Sequence, residues 1–87
     1  MFKNLTDEIA ALLEKKRQDY GNPRRTLCRF GVVGITIRLS DKIERLINLT
    51  WHNKQPNFES VEDTLKDIAG YAILGLSILN PDKEDIE

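Results

Sequence analysis

The residues of this chain with the most chemical potential fall into two clusters at helical spacing. At about 100° per residue, Arg38, Asp41, Arg45 and Asn48 lie within roughly an 80° arc of one helix face, with Gly34 one turn earlier on the same edge. Further along, Glu59, Asp63 and Asp67 are spaced by four, which stacks three carboxylates along one side of a second helix. Like charges at that spacing repel, so the sequence calls for a cation opposite them, either Arg38 and Arg45 or a divalent metal. Magnesium takes one or two carboxylates together with water and phosphate oxygens, and a helical bundle builds such sites from acids on neighbouring helices. That makes Asp41, Glu59, Asp63 and Asp67 the candidate metal ligands. Paired arginines grip phosphate bidentately, which lysine does not do.

The same residues also admit a purely structural account. Ser60-Val61-Glu62-Asp63 fits a capping box, and Asp41, directly after Ser40, is placed to cap in the same way. A solvated charged face with capping side chains would satisfy the spacing equally well, and spacing alone does not decide between the two.

Positioning these side chains requires helices, and three periodic blocks supply them. The first, about residues 5–20, carries Leu5, Ile9, Leu12, Leu13 and Lys16 at helical steps, with Asp7 and Glu8 early and Lys15, Lys16 and Arg17 late, as the helix dipole favours. Gly21 and Pro23 mark its stop. A short basic connector with Arg24, Arg25 and Arg29 follows, either solvated or touching phosphate. The second block, about 30–50, opens with the β-branched run Gly31 to Leu39, which would suit a strand. Val32, Ile35, Leu39, Ile43 and Leu46, however, recur at steps of three and four straight through Ser40-Asp41-Lys42, and this predicts one amphipathic helix. Trp51 to Asn57 reads as a polar loop that holds His52, a solvated residue, and Pro56, which ends any helical continuation. In the third block, about 58–79, Val61, Leu65, Ile68, Ala72 and Leu76 form one apolar stripe, and Leu74 and Ile78 begin another on the far side. A helix apolar on two sides is packed on two sides. The acidic tail 81–87 is expected to fray.

The expected fold class is therefore all-α: a single three-helix domain spanning residues 1–87. A chain of 87 residues buries only about 60% of its unfolded surface alone, so completion of the core by helix packing in a homo-oligomer is expected. With 13 basic and 14 acidic residues and a net charge of −1, general nucleic-acid binding is not expected, because duplex binders neutralise phosphates with a basic excess. A single cysteine, Cys28, excludes an internal disulfide and fits a reducing compartment. Neither an apolar leader nor a run of membrane-spanning length is present, so a cytoplasmic protein is expected, with no membrane partner.

Four separated motifs point further. Lys16-Arg17-Gln18-Asp19-Tyr20-Gly21-Asn22, then Phe30-Gly31, then Arg38-Leu39-Ser40-Asp41-Lys42-Ile43-Glu44-Arg45-Leu46, then Glu59-Ser60-Val61-Glu62-Asp63-Thr64-Leu65-Lys66-Asp67-Ile68-Ala69-Gly70-Tyr71 follow one another over about residues 14 to 79. Together they resemble the first nucleotide-modification-associated domain family, small proteins of phages and bacteria placed near enzymes of modified-nucleotide metabolism. The third helix is also similar to the acidic helix of the all-α MazG-like nucleoside triphosphate pyrophosphohydrolases, whose carboxylates hold magnesium around a triphosphate. Those enzymes carry a paired E-x-x-E on an earlier helix, where this chain has only Asp41 and Glu44.

The resemblance implies a nucleotide-binding protein of a bacterium or a phage-infected cell. Arg38, Lys42 and Arg45 would hold phosphate, Asn48 would contact the ligand, Tyr20 and Tyr71 would stack on a base or close the pocket edge, and Asp63 and Asp67, with Glu59 or Asp41, would hold Mg2+. Three functional readings remain open on these residues. One is magnesium-dependent pyrophosphohydrolysis by metal-activated water. Another is non-catalytic sequestration of a nucleotide, such as a cyclic signal of host defence, as a counter-defence device. The third is a protein–protein interaction module built on the doubly apolar last helix. No catalytic residue is singled out.

Overall fold

A computed structural model of the chain describes residues 2–20, 29–52 and 57–80, with the backbone alone described at 17–20. Gly21, Pro23, Arg24, Arg25, Cys28, Pro56 and the tail 81–87 fall outside these residues, as does the side chain of Tyr20. Helix α1 covers Phe2–Tyr20, α2 covers Gly31–Thr50 and α3 covers Phe58–Leu79, and no strand occurs among the described residues. The fold is all-α. Among the described residues, no helix is long and apolar enough to cross a membrane.

Helix α1 begins at Phe2, a turn earlier than the apolar spacing predicts. Its opening residues Phe2, Lys3 and Asn4 are exposed, so no buried stripe marks them. Consequently Asp7 and Glu8 do not sit in the first turn, which holds no acid. They act through side chains instead: Asp7 accepts from Lys3 at 2.9 Å, and Glu8 accepts from Lys66 of α3 at 2.7 Å.

Residues 31–39 are helical despite their β-branched content. Gly31 opens α2 at a φ of 61°, a left-handed value that glycine adopts without a Cβ penalty. Thr36 folds its hydroxyl back onto the Val32 carbonyl at 3.0 Å, so the one polar β-branched side chain bonds within the helix. Packing then decides the matter, because Ile35 is the fully buried apolar side chain of the described residues, at 3% exposure. Leu39, Leu46 and Leu49 continue its line half-buried. Val32 and Ile43, expected on the same stripe, are turned out. They lie about 60–80° round the helix from Ile35, beyond the width that one neighbouring helix covers.

Helix α3 starts at Asn57, whose side-chain oxygen accepts from the Ser60 amide at 3.1 Å. The N-cap is thus three residues ahead of the Ser60 capping box expected from the sequence. Asn57 makes the same bond that Ser60 would have made, one turn earlier. At the other end Asn80 closes the helix, its amide and its side chain both donating to the Leu76 carbonyl.

The residues α3 buries are small. Thr64, Gly70, Gly75 and Ser77 are buried, while Leu65, Ala72 and Leu76 of the expected apolar stripe face outward. Close approach explains the inversion. A Cβ on Gly75 would stand 3.4 Å from Ile35 Cγ2, and one on Gly70 would stand 3.4 Å from Leu13 Cδ2. Helices this near leave room only for small side chains at the contact.

The pairs Ile35 with Gly75, Lys42 with Asp67, and Arg45 with Thr64 have rising numbers on α2 and falling numbers on α3, so the two helices form an antiparallel hairpin. Helix α1 rests on α3 through Leu13 over Gly70, flanked by the Glu8–Lys66 and Lys16–Asp67 ion pairs. On each hairpin helix the charged edge is offset from the mutual contact line in one rotational sense and most of the exposed apolar residues in the other, with Val33 and Ile37 on the back of α2. In an antiparallel pair, equal offsets point to the same side. The hairpin therefore has one polar side, against which α1 packs, and one apolar side.

Candidate functional site

The polar side is organised around Asp67. Its carboxylate is 26% exposed and lies 3.0 Å from Lys42 Nζ of α2 and 3.6 Å from Lys16 Nζ of α1. All three helices thus meet at one carboxylate flanked by two ammonium groups. One turn away, Arg45 donates from Nε to the Thr64 hydroxyl at 3.1 Å, and that hydroxyl in turn donates to the Ser60 carbonyl at 2.8 Å. Thr64 is 1% exposed, so it is a fixed anchor. The bond uses one of the five donors of Arg45 and leaves the outer face of the guanidinium available for a bidentate contact.

Arg38 lies one turn before Lys42, about 6 Å along the axis, and is exposed with no ion pair among the described residues. Arg38, Lys42 and Arg45 therefore run along one edge of α2, with Lys16 reaching in from α1. Asp41 and Asn48 are exposed on this edge, further from α3. Tyr71 is half-buried one turn beyond Asp67, on the line of α3 that faces α2.

The remaining acids are arranged differently. Asp63 is exposed one turn before Asp67, and Glu59 is exposed in the first turn of α3, where the helix dipole favours a negative charge. Among the described residues no three of the His, Cys, Asp and Glu side chains gather as a metal cage would require. The charge of Asp67 is already met by two lysines, so a metal ion there would have to displace them.

Lys66 anchors the far side of α1. It reaches Glu8 at 2.7 Å and Glu62 at 3.0 Å, and the hydrogen bond to Glu8, followed by that to Glu62, holds its ammonium well above the usual lysine range.

The structure thus brings Lys42 and Asp67 into direct contact and sets Arg45 and Arg38 beside them. It also adds two residues that helical spacing leaves without a site role. Lys16 is one cation in an otherwise apolar series, and a charge at a stripe position is the signal that it meets a partner on an inward face. Thr64 stands inside the acidic element, where a hydroxyl between carboxylates on the core line needs a bond of its own.

Comparisons with protein-family models, with curated proteins and with solved structures find no match for this chain. The resemblance to the nucleotide-modification family rests on the four sequence motifs.

Proposed function

We propose that the chain binds a phosphorylated nucleotide on its polar side, with phosphate held by Lys16, Arg38, Lys42 and Arg45, and that it does so without hydrolysis. The observation that carries this reading is the convergence of Lys16 and Lys42, from different helices, on the single carboxylate of Asp67. A phosphate dianion brings twice the charge of a carboxylate and more acceptor oxygens, so it competes effectively for both ammonium groups. Arg45, already held by Thr64, adds a fork without the entropy loss of ordering a free side chain. The four motifs supply the nucleoside part of the proposal, with Tyr71 beside the phosphate cluster, and Tyr20, as a stacking surface.

Binding needs no metal in this reading. Only in a hydrolytic version would Asp63 and Asp67, one turn apart, supply the one or two carboxylates that a phosphate-borne magnesium takes. A hydrolytic version requires Asp67 to exchange its lysines for that metal.

The test is thermal melting against nucleoside mono-, di- and triphosphates and cyclic nucleotides, with and without magnesium, followed by product analysis. A bound nucleotide at a hundred times its Kd adds about 2.7 kcal/mol, a shift of roughly 10–20 °C in a domain of this size. The expected result is a shift that magnesium does not alter, with the nucleotide recovered intact. A magnesium-dependent shift with pyrophosphate release would move the protein to the hydrolytic version. No shift with any member of the panel would overturn nucleotide binding.

A further inference from the structure

The side of the hairpin opposite the polar cluster has no occupant among the described residues. On α2, Val32, Thr36, Ile43 and Ile47 lie within roughly a 60° arc, and on α3, Phe58, Leu65, Ala69, Ala72, Leu76 and Leu79 lie within roughly an 80° arc. Val32, Ile43, Phe58, Leu65, Leu76 and Leu79 are 42–77% exposed. Both stripes are offset from the α2–α3 contact line in the same rotational sense, so they merge into one surface.

We propose that this surface is a two-fold interface that takes a second copy of the chain, closing a four-helix bundle from two α2–α3 hairpins. The first argument is symmetry. The α3 stripe steps by 4, 3, 4 and 3 from Leu65 to Leu79, the spacing of a coiled-coil seam. Its outer leucines are balanced about Ala72, with Leu65 seven residues before and Leu79 seven after. An isologous interface needs this self-complementarity, because each residue meets its mirror position on the partner. A small residue at the crossing point lets the two α3 helices come close.

The second argument is size. At about 100 Å² for each of the six exposed side chains, the patch offers some 600 Å² per protomer, close to the ~800 Å² each partner gives to a standard interface. The third is charge. From Ile68 to Asn80 α3 carries no charged residue, and depletion of charge marks an interface centre. The charges nearest the stripes are Glu44 on α2 and the ion-paired Glu62 and Lys66 on α3, so the border carries no excess of positive charge for an anionic lipid surface. A membrane-binding amphipathic helix carries lysine and arginine there instead.

The experiment is sedimentation equilibrium of the full chain from about 1 to 100 μM, with Ala72→Glu and Ala72→Lys variants. Ala72 is exposed in the single chain, so neither change disturbs the protomer fold, and circular dichroism will report unchanged helicity. The wild type is expected at twice the 10.0 kDa chain mass. Each variant is expected at half the wild-type mass, and an equimolar mixture of the two returns to the dimer mass, because opposite charges then face each other at the two-fold axis. A second measurement does not depend on a charged variant folding: Ala72→Cys in a Cys28→Ser chain is expected to form an intermolecular disulfide under mild oxidation. A wild type that stays at the chain mass at 100 μM, variants that keep the wild-type mass, or absence of the cross-link would each overturn the proposal.

Discussion

Replacing Asp67 by Asn separates a binding site from a merely solvated charged edge, because phosphate binding at the two lysines predicts opposite signs for stability and affinity. The change removes both ion pairs and leaves Lys16 and Lys42 facing each other. The partners are partly exposed, Lys42 at 28% and Lys16 at 49%, and pairs of that kind contribute about 0.2–1 kcal/mol each. The variant should lose about 1 kcal/mol, or roughly 4–8 °C in Tm for a domain of this size, and most of that difference should vanish in 1 M salt, where the Debye length is about 3 Å. Binding should move the other way. A phosphate dianion on the two ammonium groups would lie roughly 6 Å from the Asp67 carboxylate, a repulsion of about 1.4 kcal/mol in water that screening at physiological salt halves to ~0.7 kcal/mol. Removing it tightens nucleotide binding about threefold. Titration calorimetry on wild type and variant, in the absence of magnesium and at one protein concentration, reads the affinity, and a melt in the same buffer reads the stability. A tenfold or greater loss of affinity would refute the reasoning, since Asp67 would then be holding the ligand, directly or through a metal.

Three smaller perturbations test the architecture. Gly75→Ala puts a methyl in ordinary contact with Ile35, at 3.4 Å, and removes a mid-helix glycine, so urea denaturation should show a gain of up to about 1 kcal/mol; Gly75→Leu must displace Ile35 and should lose about 1–3 kcal/mol. Asn57→Ala deletes the cap on the Ser60 amide and should cost about 1 kcal/mol in the same assay. Folding raises the Lys66 pKa, chiefly through Glu8 and then Glu62. Its stabilisation is therefore complete below the unfolded value of about 10.4 and is lost as pH rises through the folded value. The Tm gap between wild type and Lys66→Met should be constant at neutral pH and narrow above about pH 10.4; a gap that stays flat to the alkaline limit of folding would refute the assignment.

The helices were legible because apolar residues repeat at steps of three and four over long stretches, and that periodicity overrode the β-branched run at 31–39. Which face goes inward was less legible. Hydropathy ranks Leu65 and Leu76 above Thr64, Gly70 and Gly75, yet the close crossings with Ile35 and Leu13 select the small residues and turn the leucines out. A one-dimensional stripe does not encode interhelical distance. The candidate site divides along the same line. Arg38, Lys42 and Arg45 could be grouped from their own helix, since one helix fixes their spacing. The joining of Lys16 to Asp67 and of Arg45 to Thr64 depends on how separate helices meet, which spacing within each does not contain.

The two proposals make complementary demands on α3. One edge of this helix, through Thr64 and Asp67, orders the cations of α1 and α2, while its opposite edge carries the seam of Leu65, Ala72, Leu76 and Leu79. Dimerisation on the apolar side would therefore leave the phosphate-binding side open and rigidify the helix on which it is built. Because dimer formation adds stability by mass action, it would also relieve the weakness of a hairpin whose contact line, among the described residues, buries Ile35 against small residues such as Gly75 and Thr64. The Ala72→Glu variant should accordingly bind nucleotide more weakly than wild type even though its substitution lies on the far side of α3. The loss should shrink when Ala72→Lys chains are added to restore the pair. Equal affinity in the monomeric variant and the restored dimer would show that the two faces act independently.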